Sequence, residues 1–359
     1  MILIFAGAGA SKAVSPTTYP TTIEFFEKLP DNIKSNAIFK NLEGYLRQGK
    51  PQGAPIDIEE ILWTIYELED FSAAISNKGN LIGWFLNDLQ LLQSLGGNYD
   101  VNPLRNVAKD LVDKSFQLTR QISEQVYSLY ADAPNQSDLE ANWLPLLRNL
   151  GKRNEQIEVF TTNYDVVIET AIDILSQENN LVKIKTGRVN TVQPYLDITL
   201  WEEKKDDQQN NKDDFGLLTK LHGSIDWSKS VNTIFVGTPL YTGDPGRHVI
   251  LYPGYKDGYY PSNSTTRKRD ISFGPPINLF HQHFEKTLEK SDVVIFIGFA
   301  FRDNYINELV VNNISSKATV YVIDPREKIE NITIPASETI HIRKGFDKNA
   351  VQELIDKLA

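Results

Sequence analysis

The sequence predicts an α/β chain: a doubly wound parallel sheet interrupted by an all-helical module. Three observations carry that expectation. Short apolar runs recur after residue 153, several of them near-continuous in Val and Ile, as strands buried on both faces of a parallel sheet require. Helical stretches alternate with those runs. Between about 31 and 150 the pattern changes, and apolar residues return every three or four positions instead.

Residues 2–6 form the first apolar run, which stops at once in Gly7, Gly9 and Ser11, a strand followed by a tight turn and a helix start. The stretch SPTTYPTTIEFF reads as a loop entering a short helix near Ile23. Ile58, Ile61, Leu62, Ile65 and Leu68 then recur at helical spacing. So do Leu104, Val107, Ala108, Leu111, Leu118, Ile122, Val126 and Leu129. Breaks are expected at Gly96–Gly97 and at Asp132–Ala133–Pro134. Strands are expected at 157–161, 216–221, 233–236, 248–252, 292–297, 319–323 and 339–343, and helices at 164–177, 276–290, 303–315 and 350–358. The acidic, amide-rich stretch 202–214 reads as a solvated loop and 254–275 as a second long loop. The expected division is a sheet domain of 1–29 with 151–359, and an inserted helical module of 30–150.

Composition narrows the function. The 359 residues include no cysteine, which excludes a disulfide framework, a cysteine nucleophile and any thiolate zinc site. A formal net charge of −10 argues against broad contact with a phosphate backbone, so no direct nucleic-acid partner is expected. No run approaches the roughly 18 apolar residues of a membrane span. The opening MILIFAGAGAS lacks a basic region followed by a cleavage site, so the expected location is cytoplasmic.

Five segments carry candidate chemistry, each just past an apolar run. In FAGAGAS, Gly7 and Gly9 permit the close approach and positive φ of a phosphate-cradling turn, and the helix start that includes Ala8 and Ser11 offers N–H groups to a pyrophosphate. The plainer reading is a tight strand-to-helix turn. In TTNYD, Thr162, Asn163 and Asp165 would face the crevice past a strand's carboxyl end, or Asn163 or Asp165 would simply cap the next helix. In LHGSIDW, His222 is suited to proton transfer near neutral pH, although a lone histidine is more often structural. IGFAFRDNYIN repeats the strand–glycine–helix logic at Gly298 and Phe299, with Asp303 as an N-cap. VIDP ends another strand at Asp324, where a carboxylate could accept hydrogen bonds from an adenosine ribose; for both segments ordinary turn chemistry is the plainer reading. His281 and His283, two apart on a helix, point to different faces and do not suit a metal. His248 and His341 have no evident partner.

Taken together and in this order, the five segments resemble the sirtuin superfamily, and in particular the bacterial Sir2-type NAD hydrolases of antiphage defence. The resemblance covers residues 1–29 and about 155–345. It implies a Rossmann-like, NAD-binding sheet, with GAGAS as the pyrophosphate loop, TTNYD beside the nicotinamide ribose and LHGS as the catalytic His-Gly. GFAFRDNYIN is similar to a Gly-aromatic-x-aromatic-x-Asp segment common in the defence branch. The chain departs from the family's protein deacetylases. Their zinc module needs four cysteines, and their Gly-Ile-Pro-Asp-Phe-Arg element is replaced here by Ser15–Pro16–Thr17–Thr18–Tyr19–Pro20. Phe301–Arg302–Asp303 does not reproduce their hydrophobic-x-Pro peptide-binding stretch either.

The resemblance therefore implies an NAD glycohydrolase without a metal. His222, Asn163 and Asp165 would be catalytic, and Gly7, Ala8, Gly9, Ser11, Thr162, Gly298, Phe299 and Asp324 would bind NAD. Control in trans is expected, through a homo-oligomer or a partner such as a HerA-type ring ATPase or a short Argonaute. A sensor that holds NAD or ADP-ribose without turnover, and a residual deacylase or ADP-ribosyltransferase, stand as alternatives.

Overall fold

The computed structural model describes residues 1–56, 58–62, 64, 102–130, 132–153, 155–178, 183–202, 215–230, 233–237, 248–250 and 276–358. The chain divides into two compact units, Met1–Thr21 with Tyr127–Ala359, and Thr22–Val126.

Among the described residues, twelve strands lie in the first unit: β1 (Ile2–Ala6), β2 (Ile157–Thr161), β3 (Ile184–Lys185), β4 (Arg188–Val189), β5 (Tyr195–Leu196), β6 (Gly216–Lys220), β7 (Gly223–Ser230), β8 (Thr233–Val236), β9 (His248–Ile250), β10 (Val293–Ile297), β11 (Thr319–Ile323) and β12 (Glu338–Ile342). Seven of them form one sheet in the order β12-β11-β10-β1-β2-β6-β3, and every pairing in it is parallel. From β1 the chain winds outward through β2 to β6 and β3, then returns to the other side of β1 for β10, β11 and β12. The winding reverses beside β1, and in open α/β sheets such a point marks the ligand crevice.

Alternate residues of each strand explain the near-continuous apolar runs. Ile2 and Ile4 of β1, Val159, Ile295, Ile297 and Ile323 enter one core with Trp143, Leu147, Ile168, Ile172 and Leu354 from the helices Trp143–Gly151, Val167–Gln177 and Lys348–Leu358. Leu3 and Phe5, Phe160, Val294, Phe296 and Val322 enter the opposite core with Phe280, Phe284 and Val310 from Ile277–Lys290 and Asn304–Asn313. A strand covered on both faces has no polar side to show, so strict alternation is lost.

Two expected strands do not join this sheet. β8 and β9 pair antiparallel with β7, and with β4 and β5 make a five-stranded antiparallel sheet. The segment 223–230, not among the strands expected from the sequence, is the centre of that sheet. Its Trp227 and Ile225 are buried, but the intervening Ser224, Asp226 and Ser228 broke up the apolar run.

In the second unit every described element is helical: Thr22–Lys28, Asp31–Lys34, Ala37–Gln48, residues 58–62 and the start of Asn102–Tyr130. Ile58, Ile61 and Leu62, and further on Leu118, Ile122 and Val126, are buried as their spacing predicts. Ile65, Leu68, Gly96–Gly97, residues 203–214 and 254–275 lie outside the described residues, as does the side chain of His248. No described helix is long and apolar enough to cross a membrane.

Gly298 is tightly enclosed: it has φ +58 and would place a Cβ 2.4 Å from the Ala10 nitrogen. Gly298→Ala should lose about 2–5 kcal/mol through strain and overpacking together. A Cβ at exposed Gly345 meets nothing within 4 Å, so Gly345→Ala is the control. Denaturant midpoints measure both, and equal midpoints would refute the packing account.

Candidate active site

All five predicted segments leave the sheet from a single row. Ala6 is the register partner of both Thr161 and Ile297, Thr161 of Lys220, and Ile297 of Ile323. The loops that start at Gly7, Thr162, Leu221, Gly298 and Asp324 therefore share the carboxyl edge of neighbouring strands.

The first and fourth loops interlock through backbone. The Gly7 N–H donates to Ile297 O and the Gly9 N–H to Gly298 O, both at 2.9 Å, while the Gly298 N–H donates to Ile323 O at 2.9 Å. A Cβ on Gly7 would stand 2.7 Å from Phe299 Cα, and one on Gly9 2.9 Å from Gly298 Cα. This corrects the expected role of two glycines. Gly7 has φ −104 and Gly9 is not among the positive-φ residues, so both are needed for close approach, not for a left-handed turn. Their N–H groups are also committed within the chain, as is that of Ala10, which donates to Gly7 O. The five-residue helix Ala8–Lys12 follows directly.

Asn163, Ser11 and Asp165 form one buried network. Asn163 Nδ2 donates to Gly7 O at 2.9 Å and to Ser11 Oγ at 2.8 Å, which ties the TTNYD loop to the first loop. The Ser11 hydroxyl hydrogen-bonds the Asp165 carboxylate, whose Oδ1 also accepts from Val167 N–H at 3.0 Å. Asp165 thus fixes the loop and starts the following helix. Burial pushes its carboxyl above the usual range, against the pull of Lys220 and these hydrogen bonds. Thr162 contributes its backbone N–H to Ala6 O at 3.3 Å.

Lys220 was missed from the sequence and holds this arrangement from below. Its side chain is 2% exposed. Its ammonium donates to the carbonyls of Asp165 and Tyr164, the latter at 3.3 Å, and to Glu169 Oε1 at 2.7 Å. The Tyr164 carbonyl also accepts from Ile225 N–H at 2.9 Å and from Ser224 Oγ at 3.2 Å. Burial pushes the Glu169 carboxyl up to about 7, with Lys220 opposing and Asp226 adding to the rise. The available signal was a lone lysine ending the apolar strand GLLTK; a charge buried there needs a partner.

His222 lies two residues beyond Lys220, and Gly223 at φ +79 turns the chain from β6 into β7. The His222 side chain is 4% exposed, and its Nε2 is 3.2 Å from Asp303 Oδ2. Its Nδ1 is buried with no hydrogen-bond partner among the described residues. Asp303 is the N-cap expected, its Oδ1 accepting from Ile306 N–H at 3.0 Å. Burial pushes the Asp303 carboxyl up, but His222 and the Ile306 N–H outweigh it and hold it below the usual range. His281 stands close by, pushed down to about 3 by burial and by His222, and is therefore neutral. The Tyr164 ring is 6.5 Å from that of His222.

The remaining predicted residues have clear surroundings. The Phe299 ring packs 4.6 Å from Phe5 and 4.8 Å from Phe301 in the core, so its backbone is what meets Gly7. Asp324 is gripped by Arg326, with Nε to Oδ1 at 2.7 Å and Nη2 to Oδ2 at 2.9 Å, so its carboxylate already has a cation. His341, expected to have no partner, places Nε2 3.0 Å from Asp324 O. His283 Nε2 lies 3.2 Å from Glu158 Oε2, so it and His281 do face different groups. Among the described residues no cluster of His, Asp and Glu could hold a metal ion.

Residues 157–344 match a family model described as the SIR2-like domain. No curated protein matches the chain. Among solved structures, a Sir2 homologue triple mutant with 2′-O-acetyl ADP ribose is 13% identical over 99% of this chain and 91% of that one, with a TM-score of 0.41. A complex of a mutant Sir2 homologue with ADP ribose shows the same identity and coverage, with a TM-score of 0.40.

The Glu169–Lys220 pair has a pH consequence. A carboxyl raised from 4.5 to about 7 binds its proton more tightly folded than unfolded, so its effect on stability worsens as pH rises through that interval. Relative to wild type, Glu169→Gln should therefore gain about 1–3 kcal/mol between pH 4.5 and pH 8. Paired denaturant melts across that range measure the difference, and a pH-independent gap would mean that Lys220 keeps Glu169 ionised throughout.

Proposed function

This chain belongs to the SIR2-like domain family, and from that premise we propose that it is an NAD hydrolase, splitting the nicotinamide–ribose bond to give nicotinamide and ADP-ribose. The family's chemistry is NAD-dependent. The observation that carries the finer reading is His222: a buried imidazole with an unpartnered Nδ1, set at the edge where the Gly7–Ser11 and Thr162–Asp165 loops are bound together. A buried polar atom without a partner is rare and calls for a reason, and a ligand hydroxyl or water would satisfy it. Deacylation is disfavoured because a sequence with no cysteine cannot supply the deacetylases' zinc module.

The chemistry asks for positioning more than for a strong base. Nicotinamide leaves C1′ of the ribose with the bonding pair, and the positive charge passes to an oxocarbenium-like centre. Water then forms the new C1′–O bond and gives up one proton. His222 takes that proton, from the water or through a ribose hydroxyl. Asn163 holds the first loop with Nδ2, which leaves Oδ1 to orient the water or the hydroxyl. Asp165 works through the loop by way of Ser11 and Val167. Gly7–Ser11, Gly298–Phe299 and Asp324 line the path for the dinucleotide. Asp324 meets the adenosine ribose only by sharing Arg326 or releasing it.

In the cell this activity serves antiphage defence by depleting NAD. It is held off until a partner or an oligomeric assembly releases it, with HerA-type ring ATPases and short Argonautes as the partner classes that the resemblance implies.

Incubating the purified chain with NAD and following nicotinamide and ADP-ribose by chromatography tests the hydrolase. His222→Ala and Asn163→Ala should each lower turnover roughly 10²–10⁴-fold with the fold intact. Near-normal turnover in either variant removes that residue from the chemistry. Tight NAD binding without product, alone or with a partner, would instead indicate the sensor reading. A fully active monomer with no partner dependence would overturn control in trans.

A further inference from the structure

The protein treats the two nitrogens of His222 differently. Nε2 faces the Asp303 carboxylate at 3.2 Å, whereas Nδ1 is buried without a hydrogen-bond partner among the described residues. An ionised carboxylate only accepts hydrogen bonds, so in the neutral imidazole it selects the tautomer with its proton on Nε2 and its lone pair on Nδ1. His281, the other imidazole beside this pair, is neutral, and the Tyr164 ring is the aromatic neighbour.

Asp303 is fixed at one oxygen and offers the other. Oδ1 caps the helix Asn304–Asn313 through Ile306 N–H, and Oδ2, with no other partner among the described residues, lies 3.2 Å from His222 Nε2. Two residues earlier, buried Phe301 has φ +53, a conformation that strains a non-glycine residue and persists only where the surroundings impose it. Here they do: Asn307 Nδ2 donates to Phe301 O at 2.9 Å, and the Phe301 ring packs 5.1 Å from Phe296. The strained turn carries the chain from the end of β10 to the point where a carboxylate meets an imidazole delivered by β6. A helix cap needs only one oxygen acceptor. It does not account for the second oxygen lying against His222.

We propose that Asp303 is the positioning residue of His222: it holds the imidazole as the Nε2–H tautomer, makes Nδ1 the proton-accepting atom, and balances the imidazolium formed when Nδ1 takes a proton. Asp303 stays ionised throughout and does not touch the substrate. The proton moves from the attacking water or a ribose hydroxyl to Nδ1, the oxygen pair goes into the new C–O bond, and the C–N pair leaves with nicotinamide. The consequence for rate rests on the hydrolase reading; the tautomer does not.

Asp303→Asn separates the two jobs. It keeps an Oδ1 for the helix cap, but it presents an N–H to Nε2 and so drives the ring proton to Nδ1. Nitrogen-15 NMR on histidine-labelled protein reads the tautomer directly. The wild type should show His222 protonated on Nε2, and the variant on Nδ1, with a melting temperature within a few degrees of wild type. NAD turnover should fall roughly 10²–10⁴-fold while NAD binding changes no more than a few-fold. If Asp303→Asn does not fold, Asp303→Ser keeps the cap, removes the carboxylate and should lose the Nε2–H preference. A wild-type His222 protonated on Nδ1, or variants with an unchanged tautomer and rate, would overturn the proposal. Wild-type protein with the Nε2–H tautomer but no NAD turnover, alone or with its releasing partner, would sink the hydrolase reading and leave the pairing standing.

Discussion

Backbone contact between the loops that follow β1 and β10 is the constraint on which the rest of the edge depends. Gly7 and Gly9 lie so close to Gly298 and Phe299 that no Cβ fits at any of the three glycines without displacing backbone. Two N–H to carbonyl bonds, donated by Gly7 and Gly9, cross the same contact. It sits where the winding of the sheet reverses, between the two halves that must supply a site jointly. Once those loops are locked, Asn163 can reach Gly7 O and Ser11, and the turn beyond Gly298 can bring Asp303 to His222. A side chain at Gly298 would move both.

Polar groups then do what apolar packing cannot: they fix direction. Beneath the edge, one buried ammonium, that of Lys220, binds two successive carbonyls of the TTNYD loop and a carboxylate. A buried charge is costly unless paired and hydrogen-bonded, so the lysine can occupy only the position that satisfies all three groups. The Tyr164 carbonyl becomes the meeting point of β6, β7 and the loop after β2. The arrangement resists the movement of any one loop, and that is what a reaction governed by positioning requires. The same burial puts Glu169 near neutrality, so the support of the site is itself sensitive to pH.

The His222 side of the edge is different in kind. Its polar atoms are not all satisfied: Nδ1 has no hydrogen-bond partner among the described residues. Strain at Phe301 lies on the same segment. Unsatisfied atoms and strained backbone gathered in one place are the usual mark of a site where local stability is given up for function.

Much of this was determined by the sequence alone. The apolar runs defined the buried strands because a strand covered on both faces must be apolar throughout, and the loops at their ends named Gly7, Asn163, His222, Gly298 and Asp324. The helical period over 58–62 and 118–126 marked the inserted module for the same reason of burial. Only the tertiary structure decided how those loops meet. That Asn163 spends its amide on Gly7 and Ser11, that Lys220 lies under the site and that Asp303 faces His222 are all contacts between segments far apart in sequence. Neither periodicity nor spacing encodes such a contact. β7, with its alternating polar residues, was hidden because a strand in an antiparallel sheet need bury only one face. The sequence determines which residues are buried and where the chain turns, because hydrophobicity and turn chemistry are local. Which atom faces which is decided by register and packing, and these exist only once the chain has folded.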